Sequence, residues 1–169
     1  MRPGLKETEI RILGIDPGFA LTGYALLDHK GSGTVCLAAD TIVTKAGEPY
    51  GTRLMTLRRS LMEVLAEWKP DEVAVEELFF TKNVKTAIKV AEARGVILAT
   101  LYEGGFEVFE YTPTEVKRAV TGSGAADKGQ VQKMMKLILD PVKMPSKDDA
   151  VDAMAIAFCH CGNLKRVKE

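Results

Sequence analysis

What this sequence lacks narrows it first. Its three cysteines, Cys36, Cys159 and Cys161, are odd in number and follow no framework spacing. That excludes a disulfide-stapled scaffold and suits a reducing compartment. Cys159-His160-Cys161 offers metal-binding residue types, but side chains two apart on a helix point away from each other, so the two thiols do not readily share an ion. No apolar run approaches the roughly 18–20 residues of a membrane span, and the first nine residues hold no apolar core of a signal peptide. The expectation is a soluble, cytoplasmic protein without a membrane partner. Low-complexity tracts, repeats of about 20–50 residues and an inter-domain linker are also missing. The 169 residues then make one domain, which buries roughly 70% of its unfolded surface and needs no disulfide or metal to fold. Net charge is absent as well: 23 Lys and Arg balance 23 Asp and Glu, so bulk charge selects no polyanionic partner.

Local charge is more informative. Between residues 112 and 147 stand seven cations, Lys117, Arg118, Lys128, Lys133, Lys136, Lys143 and Lys147, against three anions, Glu115, Asp127 and Asp140. Residues 81–94 carry Lys82, Lys85, Lys89 and Arg94 against Glu92 alone. Such patches bind phosphates even on a neutral protein, although each also reads as a solvated helix face.

Residues 10–17 read as a strand through Ile10, Ile12, Leu13 and Ile15, closed by the turn signal Pro17-Gly18. Strands at 21–28 and 34–43, joined through Gly31-Ser32-Gly33, complete an antiparallel meander. Leu54, Leu57, Leu61, Leu65 and Trp68 form one apolar helical stripe over 49–68, stopped by Lys69-Pro70. A strand at 71–78, a helix at 82–103 ended by Gly104-Gly105 and a strand at 106–111 follow. In the 82–103 helix, Ala87, Ala91, Gly95, Leu98 and Ala99 predict close approach to the sheet or to a partner helix. Thr112, Pro113 and Glu115 open a short helix with a capping box. Asp127 caps a helix to about 139, and Ser146 caps a last helix over about 147–161. This order predicts an α/β fold: a five-stranded mixed sheet, a three-strand antiparallel meander plus parallel strands, flanked by helices.

Four carboxylates sit where carboxylates are costly. Asp16 ends an apolar strand, Glu76 follows Val73-Ala74-Val75 at the end of another, and Asp149 and Asp152 lie in a helix that is apolar for most of its circumference. Burying an isolated carboxylate costs several kcal/mol, so each needs a partner or a metal. Plain structural readings stand beside this one: Asp16 starting the turn, Glu76 or Glu77 pairing with a lysine, Asp148 and Asp149 facing the helix dipole. Asp152 lies beyond the first turn, and Asp149 and Asp152 share a helix face. Together, two strand-end acids and a helical pair describe an oxygen-lined site for hard cations. A pair of divalent ions can activate water and stabilise the leaving oxygen of a phosphoryl displacement.

Five ordered motifs resemble those of the RuvC family of Holliday junction resolvases. Ile12-Leu13-Gly14-Ile15-Asp16-Pro17-Gly18 with Thr22-Gly23-Tyr24 looks like the family's opening motif, and Val75-Glu76-Glu77-Leu78-Phe79-Phe80-Thr81-Lys82-Asn83 like its second acidic motif. Ala91-Glu92-Ala93-Arg94-Gly95 is similar to its helix signature. The stretch 116–128 resembles its basic loop, and Asp148-Asp149-Ala150-Val151-Asp152-Ala153 its acidic C-terminal helix. The resemblance spans about 10–161 and implies an RNase H-like nuclease domain over 10–163, between an extension at 1–9 and a basic tail at 164–169. It implies a homodimer that makes paired symmetric nicks across four-way junction DNA in recombination and repair, working with the RuvA–RuvB branch-migration motor. By motif position, Asp16, Glu76, Asp149 and Asp152 become both catalytic residues and ligands of two Mg²⁺ ions, for which Mn²⁺ can substitute. Asp148 competes with Asp149 for its place; the spacing to Asp152 favours Asp149. Phe79 becomes a base-stacking wedge, with Lys82, Lys117 and Lys128 as further DNA contacts.

Three rivals accompany this reading. Ile15-Asp16-Pro17-Gly18 also resembles the phosphate-binding opening of actin-like ATPases and sugar kinases, a class that needs two such domains. An RNase H-like ribosomal RNA processing nuclease keeps the fold and changes the substrate. A binding module without catalysis would keep the fold and lose the role of the acids.

Overall fold

The computed structural model describes residues 9–31, 33–78, 84–139 and 145–167, with side chains as far as residue 164. Strands β1 (Glu9–Asp16), β2 (Leu21–Lys30) and β3 (Gly33–Val43) form the antiparallel meander. Helix α1 (Tyr50–Trp68) leads to β4 (Glu72–Glu76), and α2 (Val84–Glu103) leads to β5 (Val108–Tyr111). β4 lies parallel to β1, and β5 parallel to β4, which gives the sheet order β3-β2-β1-β4-β5. Helices α3 (Pro113–Thr121), α4 (Lys128–Leu139) and α5 (Asp148–Val167) close the chain. The expected mixed five-stranded sheet is what forms. β4 and β5 are shorter than their apolar runs suggested.

Each sheet face has its own core. Leu13, Ile15, Val73 and Val75 pack under α1 and α2 with Leu57, Leu61, Ile97 and Leu101. Ile12, Ala25, Leu27 and Ala74 pack on the other face, under α5 with Ala153, Met154 and Ala157. Strand alternation makes this division, since neighbouring residues point to opposite faces.

Two helices depart from expectation. On α2 the buried residues are Ala93, Ile97, Thr100 and Leu101, whereas Gly95 is exposed and a Cβ there would meet nothing within 4 Å. The small-residue stripe therefore does not face the sheet. Ile97 and Leu101, a partial turn away, remove more apolar area from water and take that place. α5 begins at Asp148, one residue later than expected, and Lys147 rather than Ser146 supplies the first carbonyl, accepting from the Ala150 N–H at 3.2 Å. It also runs on to Val167, taking in part of the basic stretch. No helix among the described residues is long and apolar enough to cross a membrane.

Candidate active site

Ile15 pairs with Val75 in the parallel ladder between β1 and β4, so Asp16 and Glu76 follow side by side at one edge of the sheet. Carboxyl ends of parallel strands are where open α/β sheets present their ligand sites. Alternation sends both side chains to the face that α5 covers. α5 reaches that face through two glycines. A Cβ on Gly23, the register partner of Asp16, would stand 1.9 Å from the Asp149 carbonyl oxygen. A Cβ on Gly14 would stand 2.2 Å from the Ala153 carbonyl oxygen. Without these side chains the helix backbone settles onto the strands, and its acids arrive over the end of β1.

The four acids interact strongly. Burial, then repulsion from Glu76, Asp152 and Asp149, pushes the Asp16 carboxyl up to about 8. Burial and Asp152 push Glu76 up to about 7, while Lys117 and Lys128 oppose them. Asp152 is raised by burial against the pull of Lys128. The Lys128 Nζ stands 3.1 Å from Asp152 and 3.5 Å from Asp148. Glu76, Lys117, Lys128 and Asp152 line a cavity of about 260 Å³ with Val116, Val131 and Ala155. Asp148 turns outward instead, accepting from the Gln132 amide at 2.9 Å with its side chain 62% exposed.

This donor set fits a hard divalent cation: every candidate ligand is a carboxylate, and full ionisation of the group demands positive charge among them. Among the described residues, no three His, Cys, Asp or Glu side chains already stand close enough to share an ion. Of the four acids, Glu76 and Asp152 line the pocket, and the Lys128 ammonium beside Asp152 is the nearest countercharge.

α3 and α4 aim the lysines. Thr112 caps α3 through a reciprocal capping box, its Oγ1 accepting from the Glu115 N–H at 3.2 Å and Glu115 accepting from the Thr112 N–H at 2.8 Å. At the head of α4, Asp127 accepts from the Gln130 N–H at 2.9 Å, and Gln130 accepts from the Asp127 N–H at 2.8 Å. Lys117 and Lys128 thereby reach one cavity from two helices. Phe79 and Lys82 lie outside the described residues.

Comparison with known proteins decides the family. The model of the crossover junction endodeoxyribonuclease RuvC family matches residues 12–160. The chain belongs to the RuvC family. Crossover junction endodeoxyribonuclease RuvC of Petrotoga mobilis is 48% identical over 155 residues, covering 92% of this chain and 94% of that one. The protein of the same name from Syntrophomonas wolfei is 49% identical over 151 residues, covering 89% and 88%. Among solved structures, T. thermophilus RuvC in complex with Holliday junction substrate aligns at a TM-score of 0.83 with 35% identity, covering 89% of this chain and 92% of that one.

Within this RuvC-family chain, Arg94 and Thr22, named in the sequence only as motif or patch residues, prove to be positioning groups. The Arg94 Nε donates to the Glu76 carbonyl oxygen at 3.2 Å, and its guanidinium pairs with Glu110 on β5. Arg94 thus ties α2 to the strand end that carries Glu76. The sequence signal was a cation beside Ala93 and Ile97 on a buried helix face. The Thr22 hydroxyl donates to the Gly18 carbonyl oxygen at 2.7 Å and holds the turn after Asp16. Tyr111, His160 and Glu72 form a hydrogen-bonded chain centred on the buried His160, which no local pattern announces because three separate elements supply it.

Proposed function

We propose that this RuvC-family chain resolves Holliday junctions by divalent-cation-dependent nicking, with Asp16, Glu76, Asp149 and Asp152 holding the cations. One observation carries the site assignment: the paired ends of β1 and β4 put Asp16 and Glu76 together under α5, where burial first, and then repulsion from neighbouring acids with Asp152 among them, raises both carboxyls. Mg²⁺, with two ions per site, is the cation proposed, and Mn²⁺ is expected to substitute. Bound there, such ions supply Lewis acidity for an in-line phosphoryl displacement.

The chain's own residues do the rest. The Lys128 ammonium neutralises Asp152 at 3.1 Å. With a cation held by the acids, Lys128 would be the residue to meet a phosphate oxygen at the mouth of the cavity. Lys117, on the other wall, bears on the same phosphate and on Glu76. Val116, Val131 and Ala155 limit water around these charges, which strengthens every electrostatic contact inside. Phe79, next to the second acidic motif, is proposed to stack on a base at the distorted branch point, an interaction worth about 1–3 kcal/mol. Lys82 is proposed as a backbone contact. A homodimer supplies the second nick of the symmetric pair, and cytoplasmic action with the RuvA–RuvB motor completes the proposal.

The test is a labelled synthetic four-way junction, incubated with and without Mg²⁺, with nicks mapped on all strands. Paired symmetric nicks are expected only with the cation. Asp16→Asn, Glu76→Gln and Asp152→Asn are expected to abolish them while junction binding persists, since phosphate contacts elsewhere carry affinity. Full Mg²⁺-dependent nicking by any of these variants removes that residue from the site. Cleavage of RNA but not of the junction would favour the ribosomal RNA nuclease.

A further inference from the structure

The acids of the site come from two bodies, and the two are joined unequally. α5 lies directly on β1 and β2, where Gly14 and Gly23 let its backbone down. Asp149 and Asp152 are thereby set against Asp16. Glu76 stands one strand further out, on β4, whose residues Glu72–Glu76 include no glycine to let the α5 backbone down.

His160 makes polar links across that span. It lies on α5, two turns beyond Asp152, and is fully buried at 0% exposure. Its Nε2 stands 2.6 Å from Glu72 Oε2, on β4. Its Nδ1 stands 2.7 Å from the Tyr111 hydroxyl, on β5. The Phe109 ring, also on β5, packs against the imidazole with centroids 4.4 Å apart. Burial disfavours the imidazolium. In the neutral ring, Nε2–H donates to the Glu72 carboxylate and Nδ1 accepts from the Tyr111 O–H. The opposite tautomer would set a lone pair against the carboxylate, so the chain of bonds has one direction.

Both strands that His160 grips lead to Glu76. Glu72 starts the strand that Glu76 ends. Tyr111 is the register partner of Glu76, and its carbonyl oxygen accepts from the Glu77 N–H at 2.9 Å. The two bonds of His160 therefore tie α5 to the strands that lead to Glu76, and so bear on the gap between Asp152 and Glu76.

We propose that Tyr111, His160 and Glu72 act as a positioning device, tying α5 to β4 and β5 and so fixing the gap across which Asp152 and Glu76 take up divalent cations. The inference rests on the reading of these acids as cation ligands. None of the three residues touches the reacting atoms; they act through the gap.

The experiment is a Mn²⁺ titration of the full chain without DNA, followed by electron paramagnetic resonance, alongside thermal melting and junction cleavage at increasing Mg²⁺. Tyr111→Phe removes one hydroxyl, Glu72→Ala removes the other partner, and His160→Phe removes both bonds. Groups hydrogen-bonded directly to metal ligands contribute about 10–100-fold in affinity, and a device one step further removed falls at the low end of that range. A loss of about tenfold in Mn²⁺ affinity is expected for His160→Phe and about threefold for each single-bond variant, with cleavage restored at high Mg²⁺. Glu72→Gln, which keeps an acceptor, is expected to bind as the parent does. If the variants melt lower yet bind Mn²⁺ like the parent, the device is purely structural and the proposal fails. Asp16→Asn separates the two failures: an unchanged isotherm in that variant overturns the ligand reading itself. If His160→Phe does not fold, Tyr111→Phe and Glu72→Ala decide the outcome.

Discussion

Asp16 is the residue whose chemistry its surroundings alter most clearly. Burial and three neighbouring acids raise its carboxyl from 3.8 to about 8, and Glu76 rises from 4.5 to about 7. Without a cation, the folded chain therefore keeps protons that the unfolded chain has released above about pH 4. Stability declines wherever the folded state binds more protons than the unfolded one as pH rises. In chelator, the melting temperature is expected to fall between about pH 5 and about pH 8. Asp16→Asn should flatten that fall, since the amide does not ionise. Saturating Mg²⁺ should reverse it most at the upper end, where the ionised acids bind the cation and ligand binding adds to stability. Melting curves of parent and variant that decline in parallel would show that the acid cluster is not the source.

Among the elements, α5 does most to build the site, and its seating depends on two places where only hydrogen fits. A methyl on Gly23 would collide with the Asp149 backbone and one on Gly14 with the Ala153 backbone, and backbone cannot step aside as a flexible side chain can. Gly23→Ala is expected to cost about 3 kcal/mol or more, as overpacking does. For a chain this size that corresponds to a drop of roughly 10 °C in melting temperature. Gly162, on the same helix, is exposed, with nothing within 4 Å of where its Cβ would be. Gly162→Ala should instead stabilise by about 0.5–1 kcal/mol, because Ala loses less backbone freedom in a helix. Melting measured by circular dichroism compares the two directly; equal effects would mean that close approach of α5 to the sheet is not what Gly23 provides. The helical spacing of Asp149 and Asp152 was legible in the sequence. The depth of the helix on the sheet was not, because Gly14 and Gly23 acquire meaning only from the backbone that passes over them.

Across the whole molecule, periodicity and turn chemistry carried the element order, and the strand-end acids pointed to the candidate site. What stayed hidden has one physical character. Arg94 beside Glu76, and the Tyr111–His160–Glu72 chain, join elements far apart in the sequence through single hydrogen bonds, and a lone polar residue in an apolar run does not name its partner. Charge follows the same logic. With 23 cations against 23 anions, the molecule has no net attraction for DNA, so affinity for a four-way junction must come from local clusters. Each phosphate neutralised releases condensed counterions, so log affinity falls with log salt by about 0.9 per contact. Lys117 and Lys128 share the cavity with the acids. Lys30 ends β2 opposite Glu9, at the far end of the ladder from Asp16, a span of roughly 20 Å at the rise of a strand. On an Asp16→Asn background that prevents cleavage, Lys117→Ala is expected to reduce the magnitude of the salt slope by about one, Lys128→Ala, whose ammonium stays paired with Asp152 there, to reduce it by less, and Lys30→Ala to leave it unchanged. Binding isotherms across a salt series read this directly. A slope that Lys30→Ala lowers as much as Lys117→Ala would place the DNA on another face of the protein, away from the edge where β1 and β4 end.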